Sequence, residues 1–336
     1  MCKIGEESRN ESMDQIFYDK LVKIVAPEYV FTQEPMKNHT TFRIGGPADW
    51  FVTPETKDQV RDLMALAKEE GMPVYVIGNG SNLLVGDGGI RGLVIQIGRI
   101  FSEIVIEDDV LTAKAGDSLA KIAQKAYDAG LTGLEFAAGI PGTLGGAVTM
   151  NAGAYGGEMK DVLTYVEVLS PDGEIRELKA EELNLSYRYS LIPEKEWIVL
   201  GAKMKLKKGD KTDIKAKMDE YSLARRTKQP LEFPSAGSTF KRPTGYFAGK
   251  LVQDSGLKGA YVGGAMVSEK HSGFLINYTG EATAKEMQSL IVQVQKKVYE
   301  DSGELKIELH PEVKMIGEFY PLEPMEPMVM KTEDKE

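Results

Sequence analysis

Apolar residues recur at helical spacing in several segments of the chain. This spacing predicts an amphipathic helix over Met13 to Val25 and another over Thr56 to Glu70. In the second segment Val60 and Leu63 lie on one face, and Gly71 is a natural helix stop. Further helices are predicted at Ser118 to Ala129, from near Gly145, at Thr212 to Arg226 and at Ala282 to Glu300.

Short runs rich in β-branched residues and bounded by turn residues predict strands. The turn sequence Ser170-Pro-Asp-Gly173 predicts that the strands on either side of it form a hairpin. The polar segment from Lys207 to Lys211 marks a change from strands to helix. Predicted strands cover Phe42 to Val52, Val74 to Ile77, Leu93 to Ile97, Ile104 to Ile106, Val110 to Ala115, Val166 to Leu169, Glu174 to Leu178, Trp197 to Leu206, Gly273 to Asn277 and Leu305 to Ile316.

Length and composition exclude several classes of protein. A chain of 336 residues exceeds the usual size of one core, so two or three lobes are expected. A net charge of −10 argues against nucleic-acid binding, which needs a basic surface. Cys2 is the single cysteine, and His39, His271 and His310 lack the spacing of metal ligands. Neither a disulfide framework nor a metal site is therefore expected.

No apolar run reaches the length of a membrane span, and Met1 to Asn10 lacks the apolar stretch of a signal peptide. The single cysteine fits a reducing compartment. We therefore expect a cytoplasmic protein with neither a membrane nor a nucleic acid as partner.

The segment from Glu135 to Tyr155 concentrates glycines that neither a packed helix nor an ordinary strand favours. Glycine loses more chain entropy on folding than other residues, so such a cluster implies a requirement for bare backbone. Free backbone N–H groups can point at phosphate oxygens, and a helix from near Gly145 adds its positive end. A tight buried turn is the alternative interpretation.

Two other glycine loops come close to known nucleotide motifs without fulfilling them. Gly78-Asn-Gly-Ser-Asn-Leu83 follows a predicted strand but lacks the third glycine of the dinucleotide fingerprint. Gly245-Tyr-Phe-Ala-Gly-Lys-Leu251 has neither the spacing nor the Ser/Thr of a P-loop. Neither an ordinary Rossmann domain nor an ATPase is predicted.

Taken together, six motifs closely resemble the UDP-N-acetylenolpyruvoylglucosamine reductase family, in the family's order, between Asn38 and Gly317. The resemblance implies an α+β fold with two parts. They are a two-lobed FAD-binding domain of the vanillyl-alcohol oxidase and p-cresol methylhydroxylase type, and a C-terminal α+β substrate-binding domain. The motifs are Thr40 to Asp49, Val76 to Leu84, Gly139 to Tyr155, Ser186-Tyr-Arg-Tyr-Ser190, Ala236-Gly-Ser-Thr-Phe-Lys-Arg-Pro243 and Pro311 to Gly317.

On this basis the chain divides into five segments. They are an N-terminal arm with a helix (1–37), a first FAD-binding lobe (38–100), a second lobe (101–208), a substrate-binding domain (209–318) and a flexible tail (319–336). The segment between Arg188 and Ser238 lacks the tyrosine-bearing loop insertion of one subgroup. The chain therefore resembles the short-loop subgroup, and no lid role passes to Tyr221.

The resemblance implies non-covalent FAD, reduced by NADPH, with the glycine loops around its pyrophosphate. The polar side chains of these loops add hydrogen bonds to the cofactor or hold the loops in Asx-turns. The expected cofactor-binding residues are Gly78, Asn79, Gly80, Ser81, Asn82, Leu83, Gly139, Gly142, Thr143, Gly145, Gly146, Ala147, Asn151, Gly153 and Ala154.

Three residues match the family's catalytic positions. The fixed charge of Arg188 suits the negative charge that develops when hydride enters the enolpyruvyl group. Ser238 matches the proton donor and, as a weak acid, needs support from a neighbour such as Lys241 or Arg242. Glu312, in a strand-like segment, stays protonated if buried and then donates a hydrogen bond to the substrate. The alternatives are an arginine without a role, a turn serine and an exposed strand glutamate.

Basic residues stand out in this acidic protein, and together they favour a site for the phosphates of a UDP-sugar and of NADPH. For each basic residue taken alone, a solvated charge is the favoured interpretation. His271 is either a pocket residue or a satisfied core histidine. The expected substrate-binding residues are Tyr187, Arg225, Arg242, Lys250 and His271.

The resemblance thus implies a UDP-N-acetylmuramate dehydrogenase that acts as a monomer. Its reaction is the FAD-dependent, NADPH-driven reduction of UDP-N-acetyl-3-O-(1-carboxyvinyl)-glucosamine to UDP-N-acetylmuramate, a precursor of peptidoglycan. Two alternatives stay open at this point. One is an FAD-dependent oxidase of the wider family, and the other is a protein that binds a nucleotide or UDP-sugar without catalysis.

Overall fold

The computed structural model describes residues 14–331, which form two compact units. The first unit comprises residues 14–34, 49–78 and 92–221, and the second comprises 35–48, 79–91 and 222–331. Each unit has its own cluster of buried apolar side chains. The division of the chain into five consecutive segments stays a prediction.

The first unit is built on strands and helices from three stretches of the chain. Its strands are β1 (Val30–Pro35), β2 (Pro47–Val52), β3 (Val74–Ile77), β5 (Ile90–Gln96), β6 (Ile104–Glu107), β7 (Val110–Lys114), β8 (Leu131–Thr132), β9 (Gly153–Ala154), β10 (Gly157–Glu158), β11 (Leu163–Leu169), β12 (Ile175–Lys179), β13 (Ile198–Lys205) and β14 (Lys207–Lys208). One or two end residues of β1, β2 and β5 belong to the second unit. Its helices are α1 (residues 14–21), α2 (Lys57–Glu69), α3 (Leu119–Asp128), α4 (Leu144–Thr149) and α5 (Lys211–Lys228), whose residues from 222 onward belong to the second unit.

Two sheets organise this unit. One has five antiparallel strands in the order β12–β11–β13–β7–β6, and the other has four strands in the order β1–β2–β5–β3. The predicted hairpin is β11 and β12, and Gly173 takes the left-handed φ of +85° that its turn requires. Strand β3 pairs in parallel with β5 and leads directly into Gly78.

The second unit contains β4 (Leu83–Val85), β15 (Tyr261–Val262), β16 (Ala265–Val267), β17 (Leu275–Asn277) and β18 (Lys314–Ile316), with helices α6 (Ala248–Asp254) and α7 (Ala284–Asp301). Strands β15, β16 and β17 form an antiparallel sheet. Strand β4 pairs in parallel with β18. This pairing joins a segment before the middle of the chain to one near its end.

Side-chain caps set the starts of three predicted helices. Thr56 and Thr283 cap α2 and α7, and each forms a reciprocal capping box with the residue three positions later. Ser118 caps α3 by accepting a hydrogen bond from the Lys121 N–H. Because these signals are local, the predicted bounds of α2, α3 and α7 agree with the observed ones to within two residues.

Three predicted elements differ from the structure. The strand predicted over Leu305 to Ile316 is present only as β18, because Lys306 takes a left-handed φ of 46° that breaks extended backbone. The strand predicted from Phe42 begins only at Pro47, since Arg43 has a φ of 55°. Helix α1 ends at residue 21 rather than at Val25, and its predicted start at Met13 lies outside the described residues.

The last described residues are bound to the second unit, although the tail was predicted to be flexible. Val329 and Tyr261 exchange two backbone hydrogen bonds of 3.0 and 2.8 Å. The Gln293 amide donates to the Glu326 carbonyl at 2.8 Å and accepts from the Met328 N–H at 2.7 Å. Residues 332–336 of the predicted tail lie outside the described residues.

Within residues 14–331, no helix is both long enough and apolar enough to cross a membrane.

Candidate active site

Close backbone contacts shape the glycine loops of the first unit. A Cβ atom on Gly78 would lie only 2.2 Å from Thr143 Oγ1. Thr143 caps α4, and its hydroxyl accepts a hydrogen bond from the Gly146 N–H at 3.5 Å. A side chain at position 78 would displace this cap, so the approach of the two loops requires glycine.

The loop before α4 presents backbone donors. Within the part of the chain that the structure describes, the N–H groups of Gly139, Gly142 and Thr143 make no hydrogen bond to protein. The Gly142 carbonyl accepts from the Leu119 N–H at 3.1 Å, and the Leu144 N–H donates to the Asp117 carbonyl at 2.8 Å, so the loop is fixed against the start of α3. A fixed loop with available N–H groups fits the pyrophosphate of FAD.

The helix predicted from near Gly145 is α4, and its first residues pack against protein, including Ala115. The Gly145 N–H donates to the Ala115 carbonyl at 2.9 Å, and a Cβ on Gly145 would lie 3.1 Å from the Ala115 Cβ. Ala147 is buried in the core of the first unit, whereas Gly146 is exposed. Of these three expected cofactor contacts, Gly146 is the one open to a ligand.

All of the Gly78 to Leu83 loop after Gly78 belongs to the second unit. Gly80 has a φ of 60°, and a Cβ there would lie 2.1 Å from the His39 carbonyl oxygen. The Asn82 amide donates to the Glu312 carbonyl at 3.1 Å. Asn79 is exposed, and Ser81 is half-buried. Asn82 therefore holds the segment of the predicted catalytic glutamate.

Arg188 lies in a tight turn of the first unit. Ser186 and Tyr189 close this turn with two backbone hydrogen bonds of 3.1 Å each. Arg188 has a left-handed φ of 55°, which costs an L-residue about 1 kcal/mol. Its Nη2 donates to the Gly153 carbonyl at 3.2 Å, and its guanidinium carbon lies 5.3 Å from the centre of the Tyr187 ring. These contacts hold the positive charge beside β9, which contains two of the expected cofactor-binding residues.

Asn151, expected to bind the cofactor, is fully buried. Its amide nitrogen donates to Glu158 Oε2 at 2.6 Å and to the Ser186 carbonyl at 2.9 Å. Its amide oxygen accepts from the Lys160 N–H at 2.9 Å. The amide is thus occupied by protein groups, one of which is in the Arg188 turn.

Ser238 and Glu312 lie on neighbouring segments of the second unit. The Glu312 N–H donates to the Thr239 carbonyl at 2.8 Å, and Phe240 and Pro311 form an antiparallel bridge. Ser238 is exposed, and Glu312 is half-buried. The fold therefore brings together two of the predicted catalytic residues, which the sequence places far apart.

Thr239 is a site residue that the sequence did not reveal, and it is fully buried. Its N–H donates to the Gly273 carbonyl at 2.8 Å, and its Oγ1 accepts from the Leu275 N–H at 3.0 Å. With the bond from Glu312, this one residue joins its own segment to two others, residues 273–275 and the segment of Glu312. Its position directly after Ser238 was the only available signal.

His271 is bonded to the same segment as Thr239, through Gly273. Its Nδ1 accepts a hydrogen bond from the Gly273 N–H at 3.1 Å, so the neutral ring carries its proton on Nε2. Burial lowers the pKa of His271 below its usual value. The centre of the Phe274 ring lies 4.9 Å from the centre of the His271 ring, and the two rings meet edge to face. His271 is thus a neutral, partly buried imidazole at neutral pH.

The other expected substrate-binding residues lie in varied surroundings. Lys250 pairs with Asp254 on the exposed face of α6, at 2.8 Å. The Arg242 guanidinium carbon lies 4.0 Å from the centre of the exposed Phe247 ring. Arg225 is half-buried, and Tyr187 is exposed. Their role in substrate binding stays a prediction.

Among residues 14–331, no group of three or more His, Cys, Asp or Glu residues is arranged to hold a metal ion.

Two family models match the chain. The model of an FAD-binding domain matches residues 48–179, and that of the UDP-N-acetylenolpyruvoylglucosamine reductase C-terminal domain matches residues 229–316. With the mixed helices and strands of both units, these matches confirm the predicted α+β fold class with an FAD-binding domain and a C-terminal domain.

Whole-length relatives extend this similarity. The chain is 51% identical over 306 residues to the UDP-N-acetylenolpyruvoylglucosamine reductase of Caldanaerobacter subterraneus, covering 91% of this chain and 100% of the relative. It is 53% identical over 319 residues to the reductase of the same name from Agathobacter rectalis, with the same coverage. The crystal structure of the UDP-N-acetylenolpyruvylglucosamine reductase of Thermus caldophilus matches with a TM-score of 0.71 and 38% identity, over 84% of this chain and 97% of that chain.

Proposed function

Because the chain belongs to the UDP-N-acetylenolpyruvoylglucosamine reductase family, we propose that it reduces its substrate with Arg188, Ser238 and Glu312 as the catalytic groups. The predictions of an FAD-dependent oxidoreductase and of a role in peptidoglycan synthesis are confirmed by the family and by the FAD-binding domain. The observation that carries the residue roles is the pairing of the Ser238 and Glu312 segments through Thr239. Oxidation of NADPH, function as a monomer and a cytoplasmic location are parts of the same proposal.

When bound and already reduced by NADPH, FAD would supply the hydride for the terminal carbon of the vinyl ether. Negative charge then spreads from the adjacent carbon into the substrate carboxylate. Arg188 stabilises this charge with a planar guanidinium that the Gly153 carbonyl holds in place. Because the turn fixes the backbone before substrate arrives, little reorganisation is needed during the reaction.

Ser238 completes the reduction by giving its hydroxyl proton to the carbon next to the carboxylate. The exposure of Ser238 leaves its hydroxyl open to a substrate and allows solvent to replace the proton. Glu312, whose segment pairs with that of Ser238, is the second group that stabilises the enolate-like intermediate in this proposal. Hydride and proton together saturate the double bond.

The visible spectrum of the purified protein tests this function. We expect a yellow protein that anaerobic NADPH bleaches and that enolpyruvyl-UDP-N-acetylglucosamine then turns yellow again. A colourless protein that binds no FAD would favour a non-enzymatic binding protein. Reduced protein that reacts rapidly with oxygen but not with the enolpyruvyl sugar would favour an oxidase.

A Ser238→Ala variant tests the proton donor. NADPH should bleach this variant as fast as it bleaches the unaltered protein. The substrate should restore the yellow colour about 100-fold more slowly or worse, because a general acid usually contributes at least that factor. The matched control is Ser222→Ala, because Ser222 is an exposed serine of the same unit. Equal recolouring rates in the two variants would remove Ser238 from its proposed role.

A further inference from the structure

We propose that Asn151 is a positioning residue, which sets the conformation of the Arg188 turn without touching cofactor or substrate. The inference rests on the proposed role of Arg188. It gives Asn151 a function in the substrate half-reaction and not in flavin binding.

The burial and the hydrogen bonds of Asn151 exclude a direct ligand contact. Its side chain has no exposed surface, and both amide hydrogens are used, toward Glu158 Oε2 and toward the Ser186 carbonyl. Its amide oxygen accepts from the Lys160 N–H. A buried amide that is bonded both to residues 158–160 and to the Ser186 segment holds these two segments together.

One of these bonds reaches the Arg188 turn directly. The Ser186 carbonyl accepts hydrogen bonds from both the Asn151 amide and the Tyr189 N–H. The Asn151 amide therefore shares its acceptor with one of the two backbone bonds that close the turn. Two residues after Asn151, the Gly153 carbonyl accepts from the Arg188 guanidinium. The segment from 151 to 153 therefore fixes both the backbone and the side-chain charge of Arg188.

Backbone strain is concentrated in the same place. Asn151, Tyr155 and Arg188 have left-handed φ angles of 45°, 53° and 55°. Asparagine tolerates this conformation better than most residues, whereas arginine and tyrosine adopt it only where surrounding contacts impose it. At the other end of the turn, the Ser190 hydroxyl donates to the Thr149 carbonyl at 2.6 Å. The two side-chain bonds clamp a strained turn from both ends.

The chemistry of the site explains why an amide is needed. Asn151→Asp preserves shape but replaces two donated hydrogen bonds with a carboxylate that faces the Glu158 carboxylate and the Ser186 carbonyl oxygen. The turn then loses this anchor, and the position of Arg188 relative to the developing charge changes. The charged groups beside the new carboxyl are Glu158, the Lys160 ammonium that pairs with Glu158 at 2.6 Å, and Asp161, which accepts from the Glu158 N–H. Protonation of the new carboxyl would restore one donor, so the defect should diminish as the pH falls.

The test measures the two half-reactions of the FAD-loaded enzyme separately by stopped-flow absorbance. We expect Asn151→Asp to slow recolouring by substrate by about 100-fold, the cost of a catalytic group displaced by about 1 Å, and to leave bleaching by NADPH within about twofold. Lower pH should partly restore the recolouring rate of this variant. In an Arg188→Ala background, Asn151→Asp should slow recolouring by less than about threefold, because the group that it positions is absent.

The matched control is Asn184→Asp. Asn184 is an exposed asparagine of the first unit with a similar φ of 49°, and its variant should behave as wild type. If Asn151→Asp does not retain FAD, Glu158→Ala removes one anchor of the same amide. It should slow recolouring by about 10-fold without slowing bleaching, and equal slowing of both steps or of neither would overturn the proposal.

The recolouring rates of these variants distinguish a failure of the positioning role of Asn151 from a failure of the proposed role of Arg188. Normal recolouring by Arg188→Ala would contradict the proposed role of Arg188 itself. Slow recolouring by Arg188→Ala with normal recolouring by Asn151→Asp would overturn only the positioning role. A full additional 100-fold loss in the Arg188→Ala background would likewise show that Asn151 acts through another group.

Discussion

Thr239 carries no reacting group, yet it binds the segments around Ser238. Its carbonyl accepts from Glu312, its N–H donates to Gly273, and its hydroxyl accepts from Leu275. These bonds lie in a fully buried position, where an unmatched polar group costs more free energy than it does at the surface. At the scale of single residues, the spacing of Ser238 and Glu312 therefore depends on a neighbour.

Substitution of Thr239 tests this dependence. Thr239→Val keeps the shape but leaves the Leu275 N–H without its acceptor, which should cost about 1–3 kcal/mol of stability. Thr239→Ser keeps the hydroxyl and should retain most of the stability and of the substrate recolouring rate. Thermal melts and stopped-flow absorbance measure the two effects. A valine variant as stable and as fast as the serine variant would contradict this account.

At the scale of elements, helix α7 begins on a carboxylate from a distant part of the chain. Both Asp87 oxygens accept backbone hydrogen bonds, from the N–H groups of Ala284 and Lys285, at 2.7 and 2.8 Å. A negative charge at a helix N-terminus also interacts favourably with the helix dipole. Thr283 supplies a local cap at the same end. Helix α7 is thus fixed both by its own sequence and by the loop that follows β4.

Removal of the distant cap should destabilise the second unit. We expect Asp87→Ala to lower the free energy of unfolding by about 1–2 kcal/mol and Asp87→Asn to lower it by less, because the amide oxygen still accepts one bond. Chemical denaturation followed by circular dichroism measures the difference. The control is Asp219→Ala, which removes only an exposed ion pair with Lys215 and should change stability by about 0–1 kcal/mol. Equal losses in Asp87→Ala and Asp219→Ala would show that the distant cap contributes nothing.

At the scale of the whole molecule, FAD should act as a stabilising ligand, because it binds the folded chain and not the unfolded one. At a concentration 100-fold above its dissociation constant, it should add about 2.7 kcal/mol to the free energy of unfolding. Melting temperatures of the apoprotein across an FAD titration measure this gain.

The backbone N–H groups of the loop before α4 predict that the diphosphate of FAD contributes to this stabilisation. Riboflavin carries the flavin ring without the diphosphate, so it cannot use the available N–H groups of Gly139, Gly142 and Thr143. It should therefore stabilise the apoprotein less than FAD does at the same concentration. Equal stabilisation by the two compounds would contradict the assignment of this loop to the pyrophosphate.

The sequence by itself determined the features that depend on neighbours within a few positions. The caps of α2, α3 and α7 are local hydrogen bonds, so the helices were predicted to within two residues. Glycine patterns marked the loops because bare backbone leaves a direct compositional signal, and whole motifs carried the family and its candidate catalytic residues.

Only the tertiary structure decided which distant segments meet. The parallel pairing of β4 with β18, the bond from Asn82 to Glu312 and the contact of Asn151 with the Ser186 carbonyl have no counterpart in local pattern. Asn151 and Asn82 looked alike in the sequence, as polar residues in glycine-rich loops. The fold gave them protein partners, because a buried amide must satisfy its hydrogen bonds with whichever segments the packing of the core brings within reach.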